Sequence, residues 1–396
     1  MGGASGGAVP AIDLGEMSSA FPLSDVERIL EETNRASRRK RKLPAYLMTY
    51  YVIALGLLAS VGAREVLRRL LDRYRREQPW SGELATEAAI TKARKRLGVE
   101  PLRRLFEQYV QPIATRAIQS AWYRQWRVVT LDATTLQVLD TPQNERRFGR
   151  PAASRGTTAW PQLRLAALLE NGTRVLFAAA FDAYQVAERT LARRIIDRLA
   201  PDMLCLADRG LFSFELWCAA AGTGADLLWR VQKSLRLTEL ERLTDGSYLS
   251  QIYRNDGHDR KGKPLMVRVI LFTVTTKGRS EPYRLITTIL DPQKAPALEL
   301  ARLYASRWTI ETAFRDFKLH QRDRHLVLRS KLPELVEQDV YGLLLAYFGV
   351  RRLIFESARR EHIEPAELSF SHALHVIIQR LPDMVVFSPS AENALP

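Results

Sequence analysis

Two short β-type runs in this chain, residues 127–131 and 203–207, are each followed by an aspartate, Asp132 and Asp208. Between them lie two further β-type stretches, 162–169 and 174–181, joined by Asn171-Gly172, a dipeptide that favours a tight hairpin turn. A helical stretch over 185–199 follows. The order β-β-β-α-β, with acids at the ends of the first and fourth strands, predicts an α/β core. An Asp after an apolar run is also a common turn residue or helix cap, so neither acid identifies a site alone.

A third acid has a more telling setting. Residues 304–318 contain no Gly or Pro and read as a helix. At 100° per residue, Tyr304, Arg307, Glu311 and Lys318 fall within an arc of roughly 60°, flanked by Trp308 and Arg315. Leu303, Ile310, Phe314 and Phe317 form a neighbouring stripe able to face a core. One carboxylate is thus presented from a packed helix among two cations, a phenol and an indole. That suits a metal-binding acid beside a phosphate backbone.

Asp132, Asp208 and Glu311 together match the needs of phosphodiester chemistry. The substrate is already anionic, so attack on it requires charge neutralisation. Two Mg2+ ions about 4 Å apart activate the nucleophile and stabilise the leaving oxygen. Mg2+ takes oxygen ligands and keeps several waters, so three carboxylates plus a substrate phosphate suffice; Mn2+ can substitute. Asp140 and Asp182 are rival acids, but neither directly follows the first apolar run as Asp132 does.

Charge supports an anionic partner. The formal net charge is +15 and the pI about 10. Such a surplus points to nucleic acid. Cys205 and Cys218 have no metal-type spacing, which fits a reducing, cytoplasmic setting rather than a disulfide scaffold. His372 and His375 share a helical face but lack a third ligand. No Gly-rich phosphate loop or nucleophile elbow is present. Residues 43–63 carry no charge and are long enough to span a bilayer, yet Pro44, Tyr46, Tyr50, Tyr51 and Gly56 make them only moderately apolar. We expect a buried helix there and no membrane partner. The start, residues 1–10, lacks the charged and apolar regions of a signal peptide.

The expected organisation is a flexible start (1–20), a helical DNA-binding domain (21–120), the first part of the core (121–231), a β-rich insertion (232–292), the final core helix with its acid (293–330) and a helical C-terminal region (331–396). Within the insertion, Asp256-Gly257 and Lys261-Gly262 mark a turn, and the last fifteen residues read as disordered. The helix over 86–97 carries Lys92, Arg94, Lys95 and Arg96, which suit either a helix against DNA or a solvated basic face.

The spacing Y-x2-R-x3-E-x6-K from Tyr304 to Lys318 resembles the C-terminal signature of DDE transposases of the insertion-sequence-four group. Val128-Val129-Thr130-Leu131-Asp132-Ala133-Thr134-Thr135 is similar to that family's first acidic motif. Leu206-Ala207-Asp208-Arg209-Gly210-Leu211-Phe212 is similar to its second. The resemblance runs over about 20–380, including in outline the helical N-terminal domain and the β-rich insertion. It implies an RNase H-like core with the first and fourth strands side by side, and Asp132, Asp208 and Glu311 as the metal-binding catalytic acids. It further implies that Tyr304, Arg307 and Lys318 hold the terminal phosphate of a transposon end. Arg209 is placed to touch DNA, Trp308 either to stack on a base or to pack under the site, and Trp229 to stack on a displaced base. The implied partners are double-stranded DNA, as terminal inverted repeats and as target, and a second copy of the chain. The implied reaction is nicking at the transposon end followed by strand transfer, with hairpin ends.

Two other readings use the same residues. An RNase H-like nuclease shares the acids but needs neither the Tyr-Arg-Lys grip nor a basic N-terminal domain. A decayed copy would bind repeats and repress; the chain's end soon after Ser388-Pro389-Ser390 leaves room for such a truncation, while the intact acids oppose it.

Overall fold

The computed structural model describes residues 20–39, 41–58, 61–77, 84–151, 160–254, 263–276, 279–318 and 327–380. The start expected to be flexible (Ala20 apart), the last fifteen residues expected to be disordered and the turn expected around Asp256-Gly257 and Lys261-Gly262 lie outside the described residues. The chain folds as two compact units. One holds the described residues up to Ile113 together with those from Arg315 onward; the other is Ala114–Phe314. The two ends of the chain, read above as separate segments, therefore share a unit.

The helical unit opens with α1 (Leu23–Glu32), α2 (Ala45–Leu57), α3 (Ala63–Glu77), α4 (Glu87–Leu97) and α5 (Glu100–Tyr109). α2 is the uncharged segment that matched a bilayer in length. It is apolar all round because it is the centre of this unit, with every residue except Tyr46 and Leu55 buried. It packs against the 29-residue helix Pro333–Glu361. The two backbones approach so closely that a Cβ on Gly56 would stand 2.6 Å from the Gly342 carbonyl oxygen. No helix among the described residues is long and apolar enough to cross a membrane.

The second unit runs β1 (Trp122–Tyr123), β2 (Trp126–Val138), α6 (Pro142–Phe148), β3 (Gln162–Glu170), β4 (Leu176–Ala183), α7 (Glu188–Arg193), β5 (Met203–Ala207), α8 (Phe214–Ala221), β6 (Asp226–Arg230), β7 (Glu241–Arg242), β8 (Tyr248–Ile252), β9 (Leu265–Thr276), β10 (Arg279–Thr287) and α9 (Ala297–Tyr304). A 3-10 turn, Ala305–Trp308, leads into α10 (Thr309–Lys318), whose residues from Arg315 onward belong to the helical unit. The sheet order is β4-β3-β2-β5-β6-β10-β9-β8-β7, with β1 beside β2. β2, β3 and β4 are antiparallel, and β5 and β6 run parallel to β2. This is the RNase H-like arrangement, with the first and fourth strands of the β-β-β-α-β pattern, β2 and β5, as neighbours.

Four expectations change in detail. β2 does not end at Asp132 but continues to Val138, because β3 pairs with it as far as Gln137. The helix expected over 185–199 is shorter, α7 plus a 3-10 turn at Ile196–Arg198. The β-rich insertion extends the core sheet, since β10 pairs antiparallel with β6. The helix expected over 304–318 starts earlier, at Ala297, and is interrupted by the 3-10 turn. α9 lies on the sheet, with Leu300, Ala301 and Tyr304 in one apolar cluster with Trp126, Val128, Leu204, Leu206 and Leu228.

Candidate active site

Parallel pairing between β2 and β5 ends at Leu131 opposite Ala207. The next residue on each chain is an acid, so Asp132, still paired with β3, and Asp208, just past the end of β5, come side by side. Asp132 Oδ1 accepts from the Ala133 amide at 2.8 Å. Arg307 Nη1 donates to Asp132 Oδ2 at 3.1 Å, and its Nη2 lies 3.6 Å from Glu311 Oε1. The Tyr304 hydroxyl lies 3.3 Å from both Asp208 Oδ1 and the Ala207 carbonyl. One helix–turn–helix segment thus supplies a phenol to the second acid, a guanidinium to the first, and the third acid itself.

Charge and burial conflict here. Burial pushes the Asp132 carboxyl up to about 6, with Asp208 adding to the rise and Arg307 opposing it. Burial also raises the Tyr304 phenol, as does the Asp208 charge, so it stays a donor. Burial works against the Arg307 charge, but Tyr304, Asp132, Asp208 and Glu311 around it hold its pKa above the ordinary value. Its Nε is buried without a hydrogen-bond partner.

The donor set is all oxygen and anionic, which fits a hard divalent cation. No three acid, His or Cys side chains among the described residues converge as a ready metal cage. Arg307 stands between Asp132 and Glu311 and already neutralises part of the charge.

The other expected contacts divide. Arg209 is exposed beside Asp208, and Arg315 is exposed one turn beyond Glu311. Lys318 is half-buried, and burial lowers its pKa. Trp308 is 52 % exposed rather than packed under the site, with the Arg307 guanidinium 4.9 Å from its ring. Trp229 is fully buried, edge-on to Trp217 at 5.4 Å, so it belongs to the core and not to a DNA surface. In the helical unit, Lys92, Lys95 and Arg96 are exposed. Arg94 is not available to DNA; it is buried and bonded to Gln338, Ser330, the Leu335 carbonyl and Asp339. The rival acids are engaged elsewhere, Asp140 with Arg150 and Asp182 with Arg147 and Arg194.

Sequence reasoning missed Arg230. It sits at the end of β6, 3.8 Å from Asp208, and stacks on the Tyr283 ring at 3.7 Å. The available signal was a charged residue ending a buried strand beside the acid-bearing one.

Residues 11–107 match the insertion element 4 transposase N-terminal family, and residues 124–348 match the transposase DDE domain. The chain is a DDE transposase of the insertion-element-4 family. It is 30% identical over 372 residues to the InsG transposase of insertion sequence element IS4 from Escherichia coli, covering 92% of this chain and 82% of that protein. Among solved structures, a piggyBac transposase synaptic complex with hairpin DNA aligns over 98% of this chain and 86% of that one, at 10% identity and a TM-score of 0.47. As a DDE transposase this chain is an enzyme of DNA transposition, in a family that works with divalent metal ions.

Proposed function

We propose that this transposase binds the terminal inverted repeats of its element and cuts there with Mg2+ held by Asp132, Asp208 and Glu311. The observation that carries this reading is the end of β2–β5 pairing at Leu131 and Ala207, which sets two acids side by side within reach of the Arg307–Glu311 segment. Bound Mg2+ would activate the attacking oxygen and stabilise the leaving one. The chain's own groups orient the strand. Arg307, which now neutralises Asp132, can serve a phosphate oxygen with its planar fork. Tyr304 donates from a fixed place on α9. Lys318, Arg315 and Arg209 add positive charge, and Trp308 offers an exposed ring for a base to stack on. Lys92, Lys95 and Arg96 of α4 contact DNA in the helical unit.

The freed 3′ hydroxyl then attacks the opposite strand, forming a hairpin end and releasing the flanking DNA through its 3′ oxygen; water hydrolyses the hairpin phosphodiester to regenerate the 3′ hydroxyl, which attacks target DNA and displaces a 3′ oxygen there. Two ends must be held together for transfer, so the working form is a homodimer on DNA. The work takes place in the bacterial cytoplasm, on nucleoid DNA, which suits two free cysteines.

The test is cleavage of a labelled end duplex with Mg2+, comparing wild type with Asp208→Ala and Glu311→Ala. We expect cutting at the end by wild type, and binding without cutting by both variants. Wild type that binds but does not cut, with Mg2+ or Mn2+, would overturn the reading in favour of a DNA-binding repressor.

A further inference from the structure

The Asn171-Gly172 pair reads in sequence as a turn signal, yet the turn does not need the asparagine's backbone freedom. Neither residue has a positive φ; that position in the β3–β4 turn is taken by Arg174, at 60°. Gly172 is required by close approach, since a Cβ there would stand 2.6 Å from Ala121 Cβ and 2.7 Å from its nitrogen. The Asn171 side chain faces elsewhere. Thr130 Oγ1 donates to its Oδ1 at 2.7 Å, and its Nδ2 lies 3.1 Å from Ser306 Oγ and 3.3 Å from the Ser306 carbonyl. Asn171 and Thr130 are both buried, and Ser306 is partly buried.

Its two ends are informative. Thr130 is two residues before Asp132 on β2, and therefore on the same face of the sheet. Ser306 immediately precedes Arg307 in the 3-10 turn. Short 3-10 turns have poor internal hydrogen-bond geometry and gain most from an external tie. The Ser306 carbonyl can only accept, so the amide nitrogen must face it and the amide oxygen must face Thr130. A carboxylate of the same shape would lack the donor.

We propose that Asn171 is a positioning residue for strand cleavage: its side-chain amide ties the strand of Asp132 to the turn of Arg307 and so fixes the Arg307–Asp132 contact. This rests on the reading of the site given above.

The experiment measures single-turnover nicking of an end duplex in the preformed complex, for wild type, Asn171→Ala, Asn171→Asp, Ser306→Ala and the Asn171→Ala/Ser306→Ala double variant. Loss of alignment should slow Asn171→Ala by about 10- to 100-fold, with duplex affinity within about twofold. Asn171→Asp should be slowed similarly despite its matching shape. The double variant should be no slower than Asn171→Ala, because both changes break one link. A residue that only supports the fold would lower the amount of active complex and leave its rate constant alone. A wild-type rate constant in Asn171→Ala and Asn171→Asp, or additive effects in the double variant, would overturn the proposal.

Backbone hydrogen exchange on the free proteins gives a second, activity-independent reading. Exchange over 304–311 should speed up in Asn171→Asp while that of β2 and β5 stays at wild-type values. Unchanged exchange over 304–311 would also overturn it. If wild type itself fails to nick, the proposed function falls, and exchange alone still decides the role of Asn171.

Discussion

Two buried arginines, one in each unit, divide the molecule's basic residues by their partners. Arg94 in α4 has four of its five N–H donors engaged: Nε to Gln338, Nη1 to Ser330, Nη2 to a carbonyl and to Asp339. Arg307 in the 3-10 turn is as deeply buried, but it donates to Asp132 alone, approaches Glu311 at 3.6 Å and leaves Nε unpartnered. Sequence suggested DNA contact for both. A buried guanidinium with four of its five donors engaged has little capacity left for a substrate, whereas one held between acids with Nε unpaired remains open to further partners.

Truncating each arginine should give opposite readouts. Arg307→Ala should cut the nicking rate by about 100- to 1000-fold, the size of loss seen when a donor aimed at developing charge is removed. Its duplex affinity should change far less. Arg94→Ala should cost about 3–5 kcal/mol of stability, because it leaves Asp339 and Gln338 without their partner in a mostly buried setting. The folded fraction of Arg94→Ala should nick at the wild-type rate constant. Denaturant melts and single-turnover assays on both proteins check this; an Arg94→Ala complex with a slow rate constant would break the distinction.

Part of that distinction was legible in the sequence. Arg94 shares the helical phase of Ile90, Ala93 and Leu97, the buried face of α4, so periodicity pointed inward. The cluster of basic letters around it masked the signal. Adjacency of Asp132 and Asp208 was legible only through the family resemblance, because strand order along the chain does not fix which strands pair. The length of β2 was not, because Asp132 to Thr135 are only partly buried and polar enough to read as a loop. Nor was the 3-10 turn, which has no Gly or Pro to mark it. The burial of Trp229 depends on Trp217 of α8 arriving over it, a contact between elements that no local pattern encodes. Asn171 was noticed for its backbone, whereas its side chain holds the contact that matters.

A smaller effect follows from pH. Asp132 has its carboxyl raised from the ordinary 3.8 to about 6, chiefly by burial. A raised carboxyl binds its proton more tightly folded than unfolded, so its contribution favours folding below about pH 4 and is lost as pH rises through about 6. Asp132→Asn should therefore raise the stability of the metal-free protein at pH 7–8, by about 1–2 kcal/mol once loss of the Arg307 ion pair is allowed for. The gain should vanish at pH 4. Melting curves of the two proteins across that range test it, and equal stability at pH 8 would show that Arg307 already compensates the charge in full.

The exposed cations of α4 give the smallest and most graded test. Lys92 and Arg96 are exposed, whereas Lys95 lies 3.5 Å from Glu334 with both side chains about half exposed. Each cation that neutralises a phosphate contributes about one to the slope of log affinity against log salt. Lys92→Gln and Arg96→Gln should each lower that slope by about one. Lys95→Gln should lower it by less, because Glu334 competes with the phosphate for its ammonium. All three should leave stability within about 0.5 kcal/mol, as surface changes do. Arg94, buried and ion-paired with Asp339 one residue before Lys95, should contribute nothing to the slope in the folded protein. Duplex affinity measured from 50 to 200 mM salt, roughly the range over which counterion release is most visible, separates these residues. An unchanged slope for both Lys92→Gln and Arg96→Gln would move the DNA contact off this face of α4.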